Sequence, residues 1–392
     1  MFKIMKKLTS VLVAVILLFV PFFPASTEKA DISTLTFSAS AYRYDGISLS
    51  PSAQSAALYD ATGGVFLYSK NCFEQLGMAS TTKIMTGLLA VELLPLKSQI
   101  TVSKSAVGIE GSSIYLAEGD VLTSESLIYG LLLESGNDAA VAIAVAISGS
   151  SEKFVELMNK RAAEIGLENT HFANPHGLSD PEHYTTARDL ALLSAYAMSN
   201  ETFRTVVSTR SASFKDVNSQ STRYYFNHNK LLSSYDGMIG IKTGYTQNTG
   251  RCLVTAAERD GRMLIAVTLN DSDDKAEHKA MLDYGFDDYK TVETARVGEY
   301  TYDVAVTGGT AESVKITNTV NGVAVLPNDS ELSQPTLTLE PFVYAPVRHG
   351  DVIGAVNWYC DGVCVCRLPL VATESISVKR LSLFEKIKEL LS

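Results

Sequence analysis

Three short groups of residues carry the chemistry open to this chain. Ser80-Thr81-Thr82-Lys83 sets a hydroxyl and an amine three positions apart, Ser135-Gly136-Asn137 offers a second hydroxyl and an amide, and Lys242-Thr243-Gly244 adds a second lysine. On a helix, positions i and i+3 share a face, so Lys83 can hold its amine beside the Ser80 hydroxyl. A lysine ordinarily keeps its proton at neutral pH, but desolvation and a neighbouring cation both favour the neutral form, and Lys242 is the candidate cation. Lys83 then serves as proton acceptor for Ser80, which gains the power to attack an acyl carbon. At a helix N-terminus Ser80 would also meet the positive end of the dipole, its own N–H free for an oxyanion. The plain role of such a serine is an N-cap. The other two groups turn the reading toward catalysis.

Ser135 and Asn137 follow the apolar run Leu127 to Leu133, where a hydroxyl can relay a proton and an amide can hold a substrate carbonyl. Lys242-Thr243-Gly244 follows the strand-like Met238-Ile239-Gly240-Ile241. Lys242 and Thr243 suit a carboxylate, Gly244 admits a close substrate backbone, and the Tyr245 N–H is a candidate second oxyanion donor. Each group alone is weak: Ser150-Ser151-Glu152-Lys153 repeats S-x-x-K and Ser69-Lys70-Asn71 repeats S-x-N. Lys-Thr-Gly occurs once, however, and only Ser80 joins the right order to the start of an apolar helix. The ordered series follows S-x-x-K, S-D-N, K-T-G, the set shared by class A β-lactamases and penicillin-binding proteins, with Gly136 in place of the Asp.

The elements that must position these groups are legible around them. Ala56 to Asp60 and Val65 to Tyr68 read as a hairpin turning at Gly63-Gly64. A helix is predicted from Ser80 to Leu94, then helical spacing over Ser124 to Ile147 and Ser151 to Ile165, broken by a Pro/Gly-bearing loop at Asn169 to Tyr184. Strand patterns return at Met238 to Thr243, Arg251 to Glu258 and Met263 to Asn270, with Asp260-Gly261 as a hairpin turn, and a helix over Asp274 to Tyr289 closes the domain. Strands at both ends of a domain with helices between imply an α+β sheet assembled from distant segments. The Val- and Thr-rich stretch from about Thr291 to Ser375 reads as a second, all-β domain.

At 392 residues and 46% hydrophobic the chain suits one large domain and a smaller companion. A net charge of -10 without a Lys/Arg-dense stretch argues against nucleic acid. The start, with Lys3, Lys6 and Lys7 before an apolar run to Phe23 and prolines at 21 and 24, reads as a signal peptide within residues 1–30. At the other end, Leu383, Phe384, Ile387, Leu390 and Leu391 share a helical face opposite Glu385, Lys386, Lys388 and Glu389, so residues 377–392 are expected to form an amphipathic helix able to lie on a membrane or dock on the protein. Five cysteines form no disulfide framework, and Cys360, Cys364 and Cys366 lack the partners of a tetrahedral site. No metal and no cofactor is expected.

Together with Ala79 to Thr86, Ser135-Gly136-Asn137-Asp138, Asn174-Pro175-His176-Gly177-Leu178, Thr186-Ala187-Arg188-Asp189, Asn229-Lys230-Leu231-Leu232 and Gly240 to Thr246, the mature chain resembles the low-molecular-mass D-alanyl-D-alanine carboxypeptidases among penicillin-binding proteins. The resemblance implies a β-lactamase-like catalytic domain over residues 45–290, a β-rich domain over 291–376, and a terminal helix on the outer face of the cytoplasmic membrane. It implies Ser80 as the acylated residue, Lys83 as its base, Ser135 and Asn137 as the second element, and Lys242 with Thr243 as carboxylate contacts. Partners would be a peptidoglycan stem peptide ending in D-Ala-D-Ala and, as inhibitors, β-lactams. A β-lactamase would add an acid for the deacylating water, but residues 164–169 lack E-x-x-L-N and Gly136 stands where S-D-N has its Asp. A Ser-His-Asp hydrolase lacks G-x-S-x-G, and His171, His176 and His183 sit in a loop whose spacing matches no zinc motif. A silent wall-binding protein would be expected to have lost one of Ser80, Lys83 and Lys242.

Overall fold

The structure is a computed structural model that describes residues 49–379. Two strands, β1 (Ser55–Asp60) and β2 (Val65–Lys70), form the first hairpin. A 3-10 turn over Ala79–Thr82 leads into helix α1 (Lys83–Leu93), so the predicted helix from Ser80 opens with a tighter turn that carries Ser80 itself. Short strands β3 (Gln99–Thr101) and β4 (Val121–Thr123) pair before α2 (Ser124–Leu132), α3 (Asn137–Ser148) and α4 (Ser151–Ile165). The apolar spacing over Ser124 to Ile147 therefore belongs to two helices, parted where Ser135 takes a positive φ of 62°. Helices α5 (Ala187–Met198) and α6 (Glu201–Ser208) and a ribbon of β5 (Ser211–Lys215) and β6 (Thr222–Phe226) follow.

Strands β7 (Met238–Thr246), β8 (Gly250–Arg259) and β9 (Arg262–Leu269) complete a five-stranded antiparallel sheet in the order β2-β1-β9-β8-β7. The β8–β9 turn is Asp260-Gly261, both at positive φ as a two-residue hairpin requires. Helix α7 (Asp274–Asp287) covers one face and stops two residues short of the predicted Tyr289, which opens the next strand. Helix α1 packs among α2, α3 and α5, with Ile84, Met85, Leu88 and Leu89 fully buried, as an apolar helix in the middle of a layer must be. Side-chain caps start the outer helices: Thr123 accepts from Ser126 N, Ser150 from Lys153 N and Thr186 from Asp189 N. Ser150, the first residue of the second S-x-x-K, is thus a helix cap.

The all-β part contains β10 (Tyr289–Ala295), β11 (Thr301–Thr307), β12 (Ser313–Thr317), β13 (Gly322–Pro327), β14 (Thr336–Leu339), β15 (Phe342–Tyr344), β16 (Val352–Cys360) and β17 (Val363–Ala372). Strands β10 and β13 pair, and the other six form one sheet in the order β14-β16-β17-β12-β11-β15 around Val314, Ile316, Trp358 and Leu370. Arg262 joins the two parts, its Nε 2.7 Å from the buried Asp60 carboxylate and its Nη1 donating to the Tyr289 carbonyl at 2.7 Å. The expected signal peptide lies outside the described residues. Of the expected helix over 377–392, the first residues are extended instead, because Val378 bridges to Gly309 and the Lys379 N–H donates to the Gly308 carbonyl. Residues 380–392 lie outside the described residues. Among the described residues, no helix is long and apolar enough to cross a membrane.

Candidate active site

The three groups converge where α1 begins, between β7 and the α2–α3 break. Lys83 is completely buried, and its Nζ sits 2.9 Å from Ser80 Oγ, 2.7 Å from Asn137 Oδ1 and 2.6 Å from the His176 carbonyl oxygen. The Asn137 amide is oriented unambiguously, since its Nδ2 donates to the Glu110 carbonyl and so turns Oδ1 toward Lys83. The amide oxygen and the carbonyl can only accept. A neutral amine has two N–H donors and one lone pair, so with both donors spent on those acceptors its lone pair faces the Ser80 hydroxyl. Burial, followed by the charge of Lys242, pulls the Lys83 pKa well below the usual lysine range. The charge of Asp138, the residue after Asn137, acts the other way, but its carboxylate is engaged by the Ser113 hydroxyl and the N–H groups of Ile114 and Leu116.

Lys242, only 2% exposed on β7, donates to the Thr243 carbonyl at 3.0 Å, and burial lowers its pKa to about 7. Gly244 follows on the same edge strand. A Cβ there would stand 3.0 Å from Ser80 N and 3.1 Å from Thr81 N, so the glycine keeps the space before the Ser80 N–H clear. The sequence suggested room for a substrate backbone; the structure adds room for the 3-10 turn itself. Tyr245 is the next residue, with its side chain exposed. Ser135 is buried in the left-handed conformation at the helix break, two residues before Asn137.

The supports that sequence reasoning missed are mainly main-chain groups. The His176 carbonyl completes the shell of Lys83, and a backbone acceptor has no side-chain signature. Gly177 has φ +93°, and a Cβ there would come within 1.9 Å of the Ala79 carbonyl oxygen, so the loop closes on the Ser80 turn only with glycine. His183 fastens the same turn. Its Nδ1 accepts from Ala173 N at 2.9 Å, so Nε2 carries the proton and donates to Thr82 Oγ1 at 2.7 Å, and Thr82 in turn donates to the Ala79 carbonyl. Burial lowers His183 to about 4 and His176 to about 3, so both rings are neutral near pH 7.

A serine and a desolvated amine one turn apart, at the seam of an antiparallel sheet and a helical layer, define a class of active-serine proteins that work through an acyl-enzyme. Residues 45–273 match the D-alanyl-D-alanine carboxypeptidase family, and residues 289–378 match the C-terminal domain of penicillin-binding protein 5. The chain belongs to the D-alanyl-D-alanine carboxypeptidase family and is a serine-type peptidase. It is 33% identical to the D-alanyl-D-alanine carboxypeptidase DacF of Bacillus subtilis over 90% of this chain and 94% of that one. Its structure is similar to penicillin-binding protein 5 of Haemophilus influenzae, with a TM-score of 0.72 and 30% identity over 84% of this chain and 98% of that chain. The structure is also similar to the K15 D,D-transpeptidase of Streptomyces, with a TM-score of 0.57 and 36% identity over 61% of this chain and 98% of that chain.

Proposed function

We propose that the chain removes the terminal D-alanine from peptidoglycan pentapeptides through an ester on Ser80, and that β-lactams inhibit it by forming the same ester. Ser80 Oγ attacks the carbonyl of the penultimate D-alanine while its proton passes to Lys83 Nζ. The C–N bond breaks, D-alanine leaves as an amine that takes a proton relayed through Ser135, and water then hydrolyses the ester. The N–H groups of Ser80 and Tyr245 face the oxyanion; losing one such donor typically costs about 3–4 kcal/mol of barrier. Asn137 orients the amine, Lys242 and Thr243 receive the terminal carboxylate, and Gly244 keeps the oxyanion space open. Residues 45–290 act as the catalytic domain and residues 291–376 as its β-rich companion. The basic and apolar leader supports export, with action at the outer face of the cytoplasmic membrane or in the wall.

The observation that carries this reading is the fully buried amine of Lys83, held by two obligatory acceptors and 2.9 Å from the Ser80 hydroxyl oxygen. The test is release of D-alanine from a pentapeptide, together with intact mass after exposure to a β-lactam, on the parent and on Ser80→Ala. Release and a lasting adduct on the parent alone are expected. Rapid turnover of the drug would instead favour a β-lactamase, and an adduct-free, inactive parent a wall-binding protein.

A further inference from the structure

The β5–β6 ribbon borders the second motif at two points. Beneath it, Arg223 donates from Nη1 to the Ile114 carbonyl at 2.7 Å, from Nε to Asp216 at 2.7 Å and from Nη2 to Asp120 at 2.8 Å. Ile114 belongs to the loop whose Glu110 and Ser112 carbonyls hold Asn137. Three residues further on, the Phe226 N–H donates to Oε1 of Glu134 at 2.6 Å, and Glu134 precedes Ser135. Strand β6 is therefore tied to both segments that flank Ser135 and Asn137.

The two faces of this strand differ. Inward, Tyr225 is buried, its ring 6.0 Å from Phe214 and its hydroxyl 3.2 Å from Ser126 Oγ. Outward, Tyr224 is 66% and Phe226 60% exposed, opposite Ser213 and Ser211 on β5. Neither outward ring belongs to a core cluster, so folding alone does not account for them.

We propose that Tyr224 and Phe226 form a stacking platform for sugar rings of the glycan strand that carries the stem peptides, an inference that rests on the carboxypeptidase reading. Two residues along a strand span ~7 Å, so adjacent rings of a saccharide chain reach both aromatics. Sugar rings have apolar C–H faces and hydroxyl edges. The platform supplies the complement, aromatic faces beside the hydroxyls of Ser211, Ser213 and Thr222. A protein partner fits less well: two aromatics offer roughly 150–250 Å² each, against ~800 Å² per side in a standard interface. The platform also adjoins the segments that carry Ser135 and Asn137, and Asn137 meets the amine beside Ser80, so a stem peptide seated at Ser80 has its glycan within reach of β6.

The test compares D-alanine release from a free pentapeptide and from polymeric glycan carrying the same pentapeptide, using the parent and a Tyr224→Thr, Phe226→Thr double variant that keeps residues suited to a strand. Co-sedimentation with peptide-free glycan strands is measured alongside. The proposal expects kcat/KM on the polymer to fall at least five-fold through KM, kcat/KM on the free peptide to stay within two-fold, and glycan binding to be lost and restored by Tyr224→Trp, Phe226→Trp. Equal effects on both substrates, or unchanged glycan binding, overturn it. So does self-association of the parent that the double variant abolishes, which would assign the ribbon to a second copy of the chain. A parent that releases no D-alanine from either substrate refutes the carboxypeptidase reading, while co-sedimentation still decides the platform.

Discussion

The amide oxygen of Asn137 lies 2.7 Å from Nζ of Lys83 and carries no charge. Asn137→Asp would place a carboxylate at that distance, and an opposite charge favours the protonated amine. Acylation by a β-lactam at pH 7 should slow by about 10²-fold or more, the scale of a lost general base. The acidic limb of the rate should move up by at least about one pH unit. A limb that stays in place would separate Asn137 from the proton acceptor.

Burial lowers the pKa of Lys242 to about 7. As pH rises through that value the lysine loses the charge that, on the proposed function, receives a carboxylate, so kcat/KM for a pentapeptide should fall on the alkaline side. A bound carboxylate favours the charged form, so the corresponding limb in kcat should lie at higher pH than in kcat/KM. Lys242→Arg keeps its charge throughout and should remove this limb, even at reduced activity. A pH–rate profile with the same limb in both proteins would assign it to another group.

Gly177 can be tested without touching any group assigned to chemistry. Gly177→Ala brings a Cβ to 1.9 Å from the Ala79 carbonyl oxygen at a φ of +93°. Left-handed backbone alone costs about 1–2 kcal/mol for an alanine. With the clash, we expect about 2 kcal/mol or more, read as a fall in Tm of roughly 4 °C or more, with β-lactam labelling of Ser80 impaired as the turn is displaced. Labelling at the parent rate would show that the turn does not depend on this contact.

These residues also mark what the sequence could reveal. Ser80, Lys83, Asn137 and Lys242 were legible because their side-chain types and spacing mark a possible chemistry, and the Asp260-Gly261 turn because its backbone demands those residues. The break at Ser135 was hidden inside apolar spacing that continues through it. The His176 carbonyl was hidden because any residue supplies one, and Gly177 because only the approach of Ala79 explains it. Helix α6 and the β5–β6 ribbon are short, and contacts with distant segments such as Ile114 and Glu134 hold the ribbon in place.

The two S-x-x-K sequences give a paired experiment. Ser150 caps α4 by accepting from Lys153 N at 3.3 Å, whereas Ser80 meets the Lys83 amine. Ser150→Ala should cost about 1 kcal/mol of stability and leave β-lactam acylation within two-fold of the parent. Ser80→Ala should abolish acylation and leave the urea midpoint close to the parent's. An adduct surviving on Ser80→Ala would contradict the assignment of the nucleophile.

His278 supplies a test of the scaffold apart from the cleft. It is fully buried between Thr255 Oγ1 at 2.7 Å and Thr268 Oγ1 at 3.0 Å, and burial lowers its pKa from 6.5 to about 3. His183 is lowered in the same direction, to about 4. In both cases the unfolded chain binds the proton first, so the contribution to stability is intact above about pH 6.5 and is lost as pH falls toward 4. Each such proton steepens the loss by up to about 1.4 kcal/mol per pH unit. Urea unfolding between pH 7 and pH 4.5 should therefore give a shallower decline for His278→Gln than for the parent, whatever their stabilities at pH 7. Parallel declines would mean that this ring accepts a proton as readily in the folded protein as in the unfolded chain.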